Sequence, residues 1–141
     1  MKHFSFLLTS MLFIICCNSY AQVTITTQQL NGTKWERSDI QYESTYSYTD
    51  KEKIWKPYKN NDFTFVYHYY LASSVPTGFN HALVGKDTKG CYIVQYNPKT
   101  KDGTYYTIMS FDLNKGKMVL FVKKNGWIGS RDQTMTYRLI K

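Results

Sequence analysis

Apolar and polar positions alternate with a period of two along most of this chain, most clearly from Asp62 to Lys124. Phe63, Phe65, Tyr67, Tyr69 and Leu71 share one face of an extended run, and Thr64, Val66, His68 and Tyr70 share the other. Ala82–Gly85, Cys91–Tyr96, Thr104–Leu113 and Lys117–Val122 continue the series of strand-like segments. Aromatic and β-branched residues dominate them, as suits a pleated, half-buried surface. Between them stand Asp87–Gly90, Asn97–Gly103, Asn114–Gly116 and Asn125-Gly126, each with a Gly or Asn able to take the positive φ of a tight reversal. No stretch shows a helical 3.6-residue repeat. The pattern predicts an all-β fold, an antiparallel up-and-down meander of roughly eight to ten short strands closed into a small barrel.

Phase assigns an inside. Phe63, Phe65, Tyr67, Tyr69 and Leu71, then Met109, Phe111 and Leu113, then Met118, Leu120 and Val122, and finally Met135, Tyr137 and Leu139 form the expected inward set. The opposite faces are still fairly apolar, which calls for cover on both sides of the sheet or for a tyrosine-rich binding surface. Upstream the pattern is looser. Val23–Thr27 reads as a first strand or an unstructured lead-in, and Asn31-Gly32 turns the chain into a strand from Thr33 to Ile40. A strand near Tyr42–Thr49 is followed by Asp50-Lys-Glu-Lys53, read as a charged turn. Ile54-Trp55 then reads as a short edge strand or loop, because Pro57 argues against a central strand. Trp127-Ile128 reads as the start of a further short strand, before Thr134–Ile140 as the last.

The first residues follow a different rule. Lys2 and His3 precede an apolar run from Phe4 to Cys17, and Ser19-Tyr20-Ala21 is a small-x-small cleavage site. Residues 1–21 therefore read as a secretory signal peptide and 22–141 as a single domain, exported to the periplasm or beyond the cell. The apolar run is short for a membrane span of about 20 residues. Cys16 and Cys17 offer lipid attachment as an alternative, but Ile15 and Cys16 precede them where a small residue is wanted. The sequon Asn31-Gly-Thr33 matters only in a eukaryotic secretory pathway, and the leader looks bacterial.

The 18 Lys and Arg outnumber the 10 Asp and Glu, a formal charge of +8. The lysines sit mainly at predicted turns, where they discourage edge pairing. No dense basic run marks a nucleic-acid partner. Beyond residue 21 only Cys91 remains, so no internal disulfide is available and the fold relies on its apolar core. Cys91 reads as a small buried hydrophobe.

Gly32-Thr-Lys-Trp35 near the start of the domain, with Arg138 on the last strand, resembles the lipocalin and fatty-acid-binding (calycin) pattern. The spacing here is Gly-x-x-Trp, one residue longer than the usual one. The resemblance implies a closed barrel with Trp35 at its closed end, covered by a basic side chain from the last strand. Both residues would be structural.

Catalytic chemistry finds no home. His68 and His81 lack the spacing of a zinc site, and nothing pairs carboxylates across a predicted core. No glycine-rich phosphate loop leads into a helix. No metal, cofactor or catalytic residue is expected. The first expectation is a binding protein for a small apolar or amphipathic ligand, with Phe65, Tyr67, Tyr69, Met109, Phe111, Leu120 and Tyr137 lining the cavity. A second reading is a module whose outer Tyr42, Tyr46, Tyr48, Trp55 and Trp127 engage glycan or a partner protein. A third is a weak enzyme that uses Cys91 with a histidine, decided by whether Cys91 is buried.

Overall fold

The computed structural model describes residues 23–41, 44–60, 62–127 and 131–141. The expected leader, Tyr42 and Ile128 lie outside the described residues. Among the described residues the order is β1 (Ile25–Thr26), α1 (Thr27–Leu30), β2 (Lys34–Arg37), β3 (Thr45–Tyr48), β4 (Glu52–Lys56) and β5 (Phe65–Ala72). A 3-10 turn (His81–Leu83) follows, then β6 (Lys89–Gly90), β7 (Tyr92–Asn97), β8 (Asp102–Asp112), β9 (Lys117–Val122) and β10 (Gln133–Ile140). Eight strands close an antiparallel barrel in the order β10-β2-β3-β4-β5-β7-β8-β9, so each pairs with its neighbour along the chain and β10 returns to β2. The expected all-β, up-and-down barrel is the observed fold, and it is compatible with a lipocalin-like one. No helix among the described residues is long and apolar enough to cross a membrane.

The inward faces of the strands converge as alternation dictates. Trp35, Tyr69, Ile93, Met118 and Leu120 are fully buried, and Tyr48, Leu71, Ile108 and Tyr137 nearly so. Closure at one end comes from the segment before β2. Thr26 caps α1 with a capping box completed by Gln29. The helical turn sets Leu30, fully buried, into the same core as Trp35. Thr27 hydrogen-bonds the Thr88 hydroxyl and carbonyl, and β1 pairs with β6, which clamps this plug across the end. Glycine is required at position 90, because a Cβ there would stand 1.9 Å from the Ala72 carbonyl oxygen.

Several expectations are corrected. Ala82–Gly85 is no strand: His81–Leu83 form a 3-10 turn whose Ala82 amide donates to the Asn80 side-chain oxygen. That turn belongs to the long β5–β6 connection. Phe79 and Leu83 from it, with Trp127, cover Tyr70, Val94 and Tyr105 on the outer face of the sheet. This part of the apolar outer face is thus roofed by the chain itself. Trp127 lies in a turn, with its indole N–H donating to the Pro76 carbonyl (3.3 Å). Ile54 and Trp55 are not an edge but part of β4, paired on both sides, and Pro57 falls just after its last residue. The charged turn is shorter than Asp50–Lys53: the Thr49 hydroxyl accepts from the Lys51 and Glu52 amides, and Glu52 and Lys53 already belong to the strand.

Met109 and Leu113 do not face inward. The register between β8 and β9 shifts between Ile108 and Ser110, so Met109 is the extra residue of a bulge and is 49% exposed. Ile108 takes the interior place, and Phe111, on the far side of the bulge, returns inward against Trp35 (ring centroids 5.8 Å). Phe63 precedes β5 and is exposed at the rim. Arg138 does not cover Trp35. It faces outward opposite Glu36 and pairs with its carboxylate, with Nε donating at 2.6 Å, while the Trp35 indole N–H donates to the Thr33 hydroxyl at 2.8 Å.

Candidate functional site

The barrel interior changes character along its axis. Around Trp35, Leu71, Ile108, Met118 and Leu30 it is packed apolar core. At the other end it opens into a cavity of about 230 Å³, bordered by Arg37, Tyr46, Trp55, Tyr67, Gln95, Thr104, Tyr106, Val122, Arg131, Gln133 and Met135. A second chamber of about 300 Å³ shares Tyr67, Gln95, Thr104 and Tyr106 with it and runs out toward Asn97 and Asp102. The same period-two rule that fills the core places these side chains. Arg37 lies two residues beyond Trp35, Gln95 two beyond Ile93, and Gln133 two before Met135.

One wall is a row of rings. Trp55 stacks on Phe65 (centroids 4.9 Å, planes 20° apart) and lies parallel to Tyr46 (6.2 Å, 17°), while Phe65 lies beside Tyr67 (6.4 Å, 27°). The Trp55 indole N–H donates to the Ser44 hydroxyl (2.8 Å), which fixes that ring in place. Such a wall suits a flat apolar body.

Lys53 lies beneath the floor of the cavity. It is wholly buried, and its ammonium sits 4.0 Å from the Tyr46 ring centroid and 4.2 Å from that of Tyr106. Its Nζ donates to Gln95 Oε1 at 3.0 Å. Tyr46, Tyr106 and Gln95 border the cavity too, so Lys53 lies one layer of side chains below it. Burial pulls its pKa down to about 7. The neighbouring phenols supply no negative charge, because burial raises Tyr46, Tyr48 and Tyr106 well above the ordinary tyrosine range. Tyr106 also takes a hydrogen bond from Gln95, and Tyr46 one with Tyr137, whose own hydroxyl donates to Met135 Sδ (3.2 Å).

At the lip, Arg37 Nε donates to Asp39 at 2.7 Å. Burial works to lower the Arg37 pKa, but the Asp39 hydrogen bond and charge outweigh it and hold the guanidinium ionised. Thr104 Oγ1 and Tyr48 Oη are buried without a partner among the described residues, and Thr104 borders the cavity.

The residues expected to line a cavity divide between the two ends. Tyr67 borders it. Phe65 stands at its rim in the ring stack. Tyr69, Leu120 and Tyr137 are buried in the packed interior, Phe111 packs on Trp35, and Met109 is outside. The proposed outer aromatic face does not assemble: Tyr46 and Tyr48 point into the barrel, Trp55 joins the mouth, and Trp127 lies over Gly103 on the far outer wall. Cys91 is buried, its thiol within 3.9 Å of the Ser73 carbonyl oxygen and its pKa raised by burial, the reverse of an activated nucleophile. Reading the sequence missed Arg37, Lys53, Gln95, Thr104 and Gln133. Their signal was a polar residue in the inward phase of a strand, visible only once each strand's phase is known. Comparison with protein-family models, curated proteins and solved structures gave no match.

Proposed function

We propose that this protein is an exported, lipocalin-like carrier that binds a small amphipathic molecule in the open mouth of its barrel and performs no chemistry on it. One observation carries the reading: an aromatic-walled cavity with a few converging polar groups sits over a closed, packed floor. Ligand sites on small barrels have that composition, apolar walls for affinity and isolated polar atoms for orientation. At about 30 Å³ per liquid water, the cavity has the volume of about eight waters, room for a one- or two-ring molecule rather than a long acyl chain.

Titration with a neutral, environment-sensitive naphthalene fluorophore tests this. Saturable binding of one molecule per chain is expected, with Tyr67→Asp weakening it at least tenfold by setting a carboxylate in the apolar wall. Absence of saturable binding by this probe and by small aromatic acids and amides alike overturns the proposal. Native mass spectrometry of the purified protein then shows whether a small molecule travels with it.

A further inference from the structure

Lys53 is wholly buried and has no carboxylate partner among the described residues. Tyr46 and Tyr106 turn their rings to it from β3 and β8, Gln95 on β7 accepts its hydrogen bond, and Tyr48 and Tyr67 stand opposite it on β3 and β5. The other inward titratable groups on the neighbouring strands are Tyr69 on β5, Tyr137 on β10 and Arg37 on β2. None is a carboxylate. Among the described residues the acids lie elsewhere. Glu36 pairs with Arg138 on the outer wall, and Glu52 is on the opposite face of Lys53's own strand. Asp39 holds Arg37, while Asp50, Asp62, Asp87 and Asp132 are exposed on loops. Asp112 closes the β8–β9 turn with Lys115. Asp102 is exposed at the lip of the second chamber, two residues from Thr104.

An isolated buried charge is costly, and a buried ammonium is retained only where something compensates it. The compensation available among the described residues is two ring faces and one amide oxygen. Above it lies a space rimmed by Arg37 and Arg131, with the unpartnered Thr104 hydroxyl at its edge. Resting on the carrier reading above, we propose that the mouth receives a small organic acid, a carboxylate on a flat aromatic body, and that its arrival is coupled to uptake of a proton by Lys53. The ring stack holds the body, the two arginines draw the anion in, and the carboxylate settles over the floor formed by Tyr46, Gln95 and Tyr106. An anion in that low-dielectric position favours the ammonium form of Lys53. Above about pH 7 one proton enters with each carboxylate, whereas below it Lys53 already carries that proton.

The sign of the coupling follows. Lys53 in the empty barrel loses its proton near pH 7, and the bound anion holds it on to higher pH. Affinity is therefore flat below about pH 7 and weakens by up to about tenfold per pH unit above it. The experiment is calorimetric titration of the purified protein with benzoate, indole-3-acetate and 2-naphthoate, each against its neutral amide. At pH 8 the titrations are run in two buffers of different ionisation enthalpy. At least one acid is expected to bind ten times or more tighter than its amide at pH 7, with most of one proton taken up at pH 8 and almost none at pH 6. Lys53→Arg, which does not titrate, should keep the preference for acid and lose the proton uptake; Lys53→Met should lose both. Acid and amide binding equally, or acid binding without proton uptake in the unmodified protein, overturns this inference and leaves the carrier reading intact. If the neutral fluorophore and every member of the panel fail to bind, the carrier reading falls with it.

Discussion

The closed end and the mouth of this barrel are built from the same eight strands, by the same alternation, a few residues apart. At the closed end the inward positions hold Trp35, Leu71, Ile93, Ile108 and Met118, all at 2% exposure or less. At the mouth they hold Arg37, Trp55, Tyr67, Gln95, Thr104 and Gln133 around open space. The first set is filled to the density that makes a small domain stable. The second gives up packing, and in Lys53 accepts a cation that the fold would be better off without. A small domain with no disulfide among its described residues needs its packed half to carry the weight. The proposed binding site at the mouth rests on this contrast, because nothing in folding asks for Lys53, Arg37 and Gln95 to converge.

The largest separation between the two ends should come from truncating their aromatics. Trp35→Ala is expected to cost about 3–5 kcal/mol, read from the shift in urea midpoint, because it opens a void among fully buried neighbours. Tyr67→Ala, half-buried beside existing space, should cost roughly 1–2 kcal/mol. Equal losses would mean that the mouth is as tightly packed as the floor, and the comparison would fail.

Lys53→Met is expected to raise stability, by about 2–4 kcal/mol at pH 6. Lys53 has its pKa lowered from 10.5 in the open chain to about 7 in the barrel, so between those values the unfolded chain binds more protons. The wild-type protein therefore gains stability as pH rises from about 7 toward 10.5, and the advantage of Lys53→Met fades over the same window. A pH-independent difference in unfolding free energy would show that Lys53 is not a titrating cost.

A finer comparison lies within β8. Ile108→Ala should cost about 2–4 kcal/mol, whereas Met109→Ser, one residue on but outside the bulge, should stay within about 0.5 kcal/mol. The smallest signal is a null one. Cys91 should resist iodoacetamide in the folded protein and react only on unfolding, since its buried thiol holds its proton.

The strands themselves were legible because period-two alternation and Gly/Asn turns are local signals. Lys117–Val122 matches its expected span residue for residue, and the last strand differs by one residue at its start. Failures occurred where a distant partner sets the outcome. Met109 faces out because β8 carries one residue more than β9 across the bulge, a mismatch that no single strand displays. Asp50–Lys53 looks like a solvated charged turn until β4 is seen between β3 and β5. That pairing places Lys53 opposite Tyr48 and Tyr67 and so commits it to the interior. Ala82–Gly85 has strand-like residues, yet the connection needed there is a roof over Tyr70 and Val94.

The chain's own pattern determined that it would be an antiparallel barrel, which residues would pair as alternating faces, and that aromatic side chains would dominate both. Tertiary closure alone decided which end is sealed by the segment around Leu30, and that a lysine from a charged run ends between two tyrosine rings. Side-chain alternation depends on neighbours within a strand, whereas inside and outside, and the company a charge keeps, depend on where the sheet meets itself.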